Sequence, residues 1–216
     1  MGNQQSMPDL SVSSGAPTKE LFVTSMNKFF DGEKLCSLLR ETGSCISGSL
    51  PMQVITGDEY ADSDIDIFTT VQAQETFKKF LKDNGCVYEA TAHQCLSPNG
   101  FYTSGISHVN NYRDNKSGTC IQLIVLAQSG MAKYGTTSNY VKEAFDFDFC
   151  KIVFDGENVI RYDNGTLDEK KCAISLQEII KVKNDNGLKD NDKNVQDLLK
   201  RVEKYVSRGF TVTISP

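Results

Sequence analysis

The stretch CISGSLPMQVITGDEYADSDIDIF, residues 45–68, decides the fold because it joins two strand patterns through a turn and a short helix. Its second strand begins near Asp64, and alternate side chains of a strand point to opposite faces. Asp64 and Asp66 therefore share one face, while Ile65 and Ile67 share the other, where they can enter a core. Two carboxylates about 7 Å apart on one face offer the oxygen ligands that divalent cations such as Mg²⁺ prefer.

The acidic cluster by itself allows other interpretations. An EF-hand loop beginning at Asp62 would need glycine where Ile67 stands, which excludes that site. Phosphatases that form an aspartyl-phosphate place a buried apolar strand before the acidic pair, whereas the segment GDEYA at 57–61 precedes it here. Two interpretations remain open: a solvated acidic loop that leads into an edge strand, and a metal pair shifted to Asp62 and Asp64.

The upstream dipeptide Gly48-Ser49 favours a phosphate site. A strand predicted over 44–49 ends in this dipeptide, and a helix predicted over 51–57 follows it. Such a turn presents backbone N–H groups and a hydroxyl to a phosphate group. A triphosphate held there would reach cations on Asp64 and Asp66, which is an arrangement suited to nucleotidyl transfer with two metal ions.

The order hydrophobic-Gly-Ser, helix, Asp-x-Asp-hydrophobic resembles the nucleotidyltransferase superfamily, whose best-known fold is that of DNA polymerase β. Together with the later motifs IQLI, FDFDFC and KYVSRGF, the chain is similar to nucleotidyltransferase-like proteins of giant viruses, protists and fungi. The resemblance implies that Gly48 and Ser49 contact phosphates, and that Asp64 and Asp66 bind Mg²⁺ or Mn²⁺. It implies transfer of a nucleoside monophosphate from a nucleoside triphosphate to a hydroxyl of a protein, a nucleic acid or a small molecule.

The resemblance also implies a third carboxylate on a later strand, where Gln122 stands in the apolar run 120–126. Glutamine can hydrogen-bond the substrate or coordinate a metal ion weakly, but it cannot act as a general base. A second function therefore stays open, namely a catalytically inactive protein of the same fold that serves as a nucleotide-binding or interaction module.

Asp146 and Asp148 are candidates to replace the missing acid. They alternate with phenylalanines in a strand predicted over 145–149, so both carboxylates would share one face. If this strand lies beside the one that carries Asp64 and Asp66, they would complete the metal site. Otherwise they simply face water.

The remaining patterns predict a single α+β domain over residues 18–216, with a nucleotidyltransferase-like mixed β-sheet flanked by helices. The hairpin turn is Asp155-Gly156, and the last helix is amphipathic. Residues 93–118, with both histidines (His93 and His108), show no clear period and receive no role. The predicted helices cover 19–42 with a break near Asp31-Gly32, 72–84, 139–144 and 192–207, and further strands cover 86–91, 120–126 and 210–214.

The composition is that of an ordinary globular protein, with 216 residues, 39% hydrophobic and 24% charged residues and a net charge of −5. The negative charge excludes a global basic field that would attract nucleic acid. Seven scattered cysteines without a CxxC pair favour reduced thiols in the cytoplasm. No apolar run is long enough to span a bilayer.

Cationic side chains near the acidic motifs are candidates to contact a triphosphate, namely Arg113, Lys116, Lys142 and Lys151. Lys204 and Arg208 belong to the motif KYVSRGF, and for them a structural role at the end of the C-terminal helix is the preferred interpretation.

The polar segment 1–17 is predicted to be a disordered tail. It begins with Met-Gly-x-x-x-Ser, the pattern for N-myristoylation on Gly2, with Ser6 in the favoured position. One acyl chain would give only weak membrane contact. An unmodified tail that happens to begin with Met-Gly is the other interpretation.

Overall fold

The computed structural model describes residues 19–93, 105–177, 180 and 191–216. Helices with described bounds are α1 (Lys19–Met26), α2 (Gly32–Thr42), α3 (Ser49–Thr56), α4 (Gln74–Asp83), α5 (Gln128–Tyr134), α6 (Thr137–Ala144), α7 (Thr166–Glu169) and α8 (Asn191–Ser207). The strands are β1 (Cys45–Ser47), β2 (Ile65–Thr70), β3 (Cys86–His93), β4 (Ile106–Asp114), β5 (Cys120–Leu126), β6 (Ile152–Phe154), β7 (Val159–Arg161), β8 (Lys171–Ser175) and β9 (Thr211–Ser215).

Seven strands form one sheet in the order β3-β4-β5-β2-β1-β6-β7. The central pair β2 and β5 is parallel, and the other neighbours in this sheet are antiparallel. Strands β8 and β9 pair in parallel as a second, smaller sheet. The predicted α+β class with a mixed sheet flanked by helices is therefore confirmed.

The central strand β2 is covered on both faces. Ile65 and Ile67 enter a core cluster with apolar side chains of α1, α2 and α4. Phe68 points to the opposite face and packs against Tyr140 of α6, with the ring centroids 5.9 Å apart. Tyr140 and Ala144 of α6 line a cavity on this second face together with Asp66 and Phe68.

A third cluster fixes the C-terminal helix against the sheet. Phe147 and Phe149 are fully buried, and both rings contact the ring of Tyr205 on α8. Met52 of α3 belongs to the same cluster, so α8 packs near the helix that follows the Gly-Ser turn. This packing brings the polar side chains of α8 to the end of β2 that carries the aspartates.

Most predicted elements are confirmed, including the helix break at residue 31, where the Asp31 carboxylate accepts the backbone N–H of Lys34 and caps α2. The strand predicted over 145–149 is wrong, because Asp148–Cys150 forms a 3-10 helix. The phenylalanines do not share one face: Phe145 packs on Phe68, whereas Phe147 packs under α8. The unassigned region contains β4, and its residues 94–104 lie outside the described ranges.

The tail with Gly2 lies outside the described residues, so its disorder and acylation stay predictions. Among the residues that are described, no helix is both long and apolar enough to cross a membrane. The six described cysteines are free thiols, as the spacing predicts: Cys36, Cys45, Cys86, Cys120, Cys150 and Cys172.

Candidate functional site

The Gly48-Ser49 turn lies directly against the Asp66 carboxylate. Ser47 is the antiparallel partner of Asp66, and Gly48 follows it as the N-cap of α3. Gly48 has φ 83° and ψ −143°, a conformation that is essentially restricted to glycine. A Cβ atom at this position would stand 2.4 Å from Oδ2 of Asp66. The glycine is therefore required both by the backbone and by the close approach of the carboxylate.

Asp64 and Asp66 sit side by side in a partly buried environment. Burial, together with the negative charge of Asp64, raises the pKa of Asp66 to about 7. The pKa of Asp64 is raised mainly by burial, while Lys204 opposes the rise through space and the Cys120 thiol through a hydrogen bond. Within the described residues, neither carboxylate forms an ion pair within 4.0 Å. The pair therefore carries negative charge that no neighbouring side chain neutralises by contact.

Gln122 occupies the place beside Asp66 on the next strand. The parallel register of β2 and β5 pairs Asp66 with Gln122, so both side chains point to the same face. On the far side, Gln122 is paired with Asn111 of β4. At the position where the resemblance implies a third carboxylate, β5 thus carries the Gln122 amide, and the neighbouring strand β4 carries the Asn111 amide next to it.

Asp146 reaches the site but Asp148 does not. Asp146 lines the same cavity as Asp64 and Asp66, and its carboxylate accepts a 2.5 Å hydrogen bond from Arg201 of α8. Asp148 pairs with Lys151 at 2.7 Å, away from that cavity. No group of three His, Cys, Asp or Glu side chains suited to a metal ion occurs in the described part of the chain.

The cavity at the carboxylates is small, about 140 Å³. Drug-sized ligands occupy about 300–1,000 Å³, so this space suits a phosphate group or a metal ion rather than a whole nucleotide. Its charged lining consists of Asp64, Asp66, Asp146, Arg201 and Lys204, and the Gly48-Ser49 turn lies beside them.

A larger cavity of about 580 Å³ is lined in part by residues of the loop 57–63. Leu50, Val54 and Ile65 form its apolar wall. Ile65 points away from the face that carries Asp64 and Asp66. We place the chemistry at the smaller cavity, because the unpaired charges are there.

A chain of hydrogen bonds joins the turn to the loop before the aspartates. The hydroxyls of Ser49 and Ser63 lie 2.6 Å apart, and Nε2 of Gln53 donates to the Ser63 hydroxyl at 2.7 Å. The Gln53 Oε1 atom accepts the backbone N–H of Tyr60 at 2.7 Å. Sequence reasoning did not identify Gln53 and Ser63, although both belong to the motif from which the resemblance was drawn.

The cations that line the cavity are not among the triphosphate contacts predicted from the sequence. Arg201 and Lys204 of α8 line it, and Arg201 is paired with Asp146. Lys151 instead pairs with Asp148, and Arg113 pairs with Glu89. Lys142 lies over the ring of Tyr162, and Lys116 belongs to the turn between β4 and β5.

The two histidines receive no role from the structure. His93 and His108 face each other across β3 and β4 in the backbone register. The His108 ring hydrogen-bonds Gln74 of α4 at 2.9 Å.

No family model matches the sequence, and neither does any of the curated proteins. Among solved structures, the chain is similar to the apo form I of CCA-adding enzyme, with a TM-score of 0.42 and 15% identity over 70% of this chain and 36% of that one. It is also similar to CCA-adding enzyme in complex with CTP, with a TM-score of 0.45 and 15% identity over 74% of this chain and 37% of that one. The chain thus spans little more than a third of these solved chains, and likeness at this distance does not assign it to a family.

Proposed function

We propose that this protein binds a nucleoside triphosphate together with Mg²⁺ or Mn²⁺ and transfers the nucleoside monophosphate to an acceptor hydroxyl. The observation that carries the proposal is the contact of the Gly48-Ser49 turn with the Asp66 carboxylate. It places a phosphate-binding type of turn and a pair of carboxylates within one cavity. The likeness to giant-virus, protist and fungal proteins and the cytoplasmic location remain predictions.

Asp64 and Asp66 fit a hard divalent cation. Both are carboxylates with raised pKa values, and neither has a direct cationic partner among the described residues. Burial without a counter-charge is unfavourable for an ionised carboxylate, so the site favours a bound cation. When bound, such a cation supplies Lewis-acid polarisation of a phosphoryl group and neutralises its charge.

The other residues have roles that follow from their positions. The backbone N–H groups that follow Gly48 point out of the N-terminus of α3 and would contact the β- and γ-phosphates. The Ser49 hydroxyl would add a hydrogen bond. The Gln122 amide, on the same face as Asp66, would orient the acceptor hydroxyl. It cannot remove the hydroxyl proton, so that proton must pass to another base, to the phosphate or to water.

Gln122 is also the observation that favours a second candidate function. A nucleotide-binding module without catalysis would keep the turn and the aspartate pair but would need no third carboxylate. The register that pairs Gln122 with Asp66 fits this module as well as it fits an enzyme with a weak active site.

Pyrophosphate release distinguishes the two candidates. We would incubate the chain with each nucleoside triphosphate and Mg²⁺ or Mn²⁺, and compare it with Asp64→Asn/Asp66→Asn. The control Glu75→Gln/Asp83→Asn removes the same charge from exposed positions on α4. Pyrophosphate release that depends on metal and is lost in Asp64→Asn/Asp66→Asn but not in the control variant supports the transferase. Release that survives the substitution contradicts the proposed site.

The replacement Gln122→Asp decides between a weak enzyme and a module. Asp at this position lies beside Asp66 in register, so it would supply the third carboxylate. Metal-dependent nucleotide binding without any release in the wild type, and release after Gln122→Asp, would support the binding module.

A further inference from the structure

Arg208 is a buried guanidinium with an incomplete set of partners. Its side chain is only 5% exposed and lies over the ring of Tyr60, 4.3 Å from the centroid, with Tyr205 at 5.5 Å. Nη2 donates to Oδ1 of Asp62 at 2.6 Å, whereas Nε and Nη1 are buried without a hydrogen-bond partner in the described structure. A buried charge of this kind requires an anionic partner, because an unpaired one is strongly destabilising.

The partner that Arg208 has is an exposed loop carboxylate. Asp62 is 67% exposed, and its second oxygen lies 3.8 Å from Nζ of Lys204. Lys204 in turn lines the cavity that contains Gly48 and Asp66. Asp62 therefore stands between two cations at the border of the proposed phosphate site.

We propose that Arg208 and Lys204 form a subsite for a phosphoryl anion, that Asp62 occupies this subsite in the free protein, and that an incoming phosphate group displaces Asp62. The inference rests on the proposed function for the source of the anion, a triphosphate. It requires neither a bound metal ion nor a nucleobase.

The exchange is favourable for physical reasons. Only the Asp62 end of the pair is exposed, so water can solvate the released carboxylate while the phosphate group keeps the buried Arg208 charge paired. A phosphate group brings more charge and three acceptor oxygens, and it can satisfy arginine in a bidentate geometry. Asp62 has a clear role in the absence of phosphate, since it keeps the Arg208 charge paired.

The same loop contains a matched control. Asp58 pairs with Lys170 at 2.8 Å, and Lys170 lies 5.9 Å from the centroid of the Phe210 ring. This second carboxylate–cation pair also lies beside an aromatic ring, but its cation is more exposed, with Lys170 at 39% and Arg208 at 5%. Lys170 does not line the cavity of the aspartate pair, and in the described structure Asp58 forms no ion pair with Arg208 or Lys204, so Asp58→Asn removes a charge from the same loop without removing a partner of the proposed subsite. Its nearest link to the subsite is the Tyr60 hydroxyl, which donates to Asp58 at 3.0 Å.

The test measures binding of tripolyphosphate and of orthophosphate by calorimetry, with EDTA present and the ionic strength held constant. Asp62→Asn is expected to bind tripolyphosphate about 2- to 5-fold more tightly than the wild type, because the neutral amide no longer competes with the anion for Arg208 and Lys204. Its Tm without anion should be lower than that of the wild type, and tripolyphosphate should restore it. Asp58→Asn should also lower Tm but leave the affinity unchanged.

Lys204→Gln provides the opposite change at a side chain that is 37% exposed, and it should weaken tripolyphosphate binding. Orthophosphate with the same ranking of variants would identify free phosphate as a further occupant. The subsite is contradicted if Asp62→Asn gains no affinity, if Asp58→Asn gains as much, or if Lys204→Gln has no effect.

These outcomes are separate from those of the proposed function. If the variants rank as predicted in tripolyphosphate affinity but the chain shows no nucleotidyl transfer, the transferase proposal is overturned and the subsite stands. Transfer at Asp64 and Asp66 without the ranking would overturn only the subsite.

Discussion

At the scale of single residues, the charge state of Asp66 links stability to pH. Its pKa in the folded protein is about 7, against an ordinary value of 3.8, so the folded chain keeps a proton that the unfolded chain has lost between about pH 4 and about pH 7. Stability contributed by this group therefore falls as pH rises through that window. The raised pKa of Asp64 acts in the same direction.

Asp66→Asn should consequently raise Tm by several degrees at about pH 8, with the gain shrinking toward about pH 4. Mg²⁺ should raise the wild-type Tm more at the higher pH, because it competes with protons for the ionised pair. Thermal unfolding across this pH range checks both effects. A variant that loses stability equally at both ends would show that Asp66 is not a destabilised carboxylate.

Gly48 is the second residue for which the structure predicts a specific effect of substitution on stability. Gly48→Ala adds a Cβ 2.4 Å from the Asp66 carboxylate in a backbone region reserved for glycine, so it should lower the free energy of unfolding by on the order of 3 kcal/mol. Gly57→Ala also has a positive φ, but no atom lies within 4 Å of its added Cβ, and a loss of about 1 kcal/mol is expected. Urea denaturation of both variants measures the difference. Equal losses would refute the close contact.

At the scale of elements, Gln53 of α3 makes two hydrogen bonds to the loop before β2, in addition to the contact between the Ser49 and Ser63 hydroxyls. Gln53 holds the Ser63 hydroxyl and the Tyr60 backbone, so it sets the spacing between the Gly-Ser turn and the aspartates. This network was not predictable from residue patterns, because a glutamine on a helix is usually solvated. Its role depends on the course of a loop that has no periodic signal.

Gln53→Ala should destabilise the chain by about 1–2 kcal/mol and speed amide exchange in the loop 57–63, since the Tyr60 backbone N–H loses its partner and the Ser63 hydroxyl keeps only its contact with Ser49. The exposed Gln72→Ala, outside any helix or strand, is the control and should change neither quantity. Hydrogen exchange followed by mass spectrometry reports on both segments. Unchanged exchange at 57–63 would mean that the loop is held by other contacts.

Elements with a strong period were predictable, and the Phe145–Phe149 segment shows where the pattern fails. Apolar residues at every second position favour a strand only if one surface covers them all. Here Phe147 is buried in one cluster, whereas Phe145 is only partly buried and packs against both that cluster and the one around Phe68, and the chain bends at Asp146 between them. Strand β4 was missed for the opposite reason, because its polar residues, such as Asn110 and Asn111, hide the alternation.

At the scale of the whole molecule, the C-terminal helix completes the site from far along the chain. Arg201 reaches Asp146 across 55 residues, and Arg208 reaches Asp62 across 146. The sequence predicted the amphipathic helix itself, but not the residues that its polar side would meet. Such contacts depend on the order of the strands and on the packing of Tyr205, which no local pattern reports.

The Arg201–Asp146 pair should therefore anchor α8. Asp146 is 8% exposed and Arg201 21%, so Arg201→Leu leaves a buried carboxylate unpaired and should cost about 3–5 kcal/mol. Adding Asp146→Leu should recover much of that loss, because an apolar pair needs no counter-charge. Denaturation of the single and double variants checks this. A double variant as unstable as the single one would mean that packing, rather than charge, holds the helix.

The most direct test of the central claim is a titration of the chain with Mn²⁺ followed by electron paramagnetic resonance, with and without a nucleoside triphosphate. The wild type should bind Mn²⁺, and more tightly when the triphosphate is present. Asp64→Asn/Asp66→Asn should weaken that binding at least about tenfold, because loss of an outer-shell partner of a metal ligand already costs about that much. Equal Mn²⁺ affinity in the wild type and the double variant would contradict the assignment of Asp64 and Asp66 as the metal-binding pair.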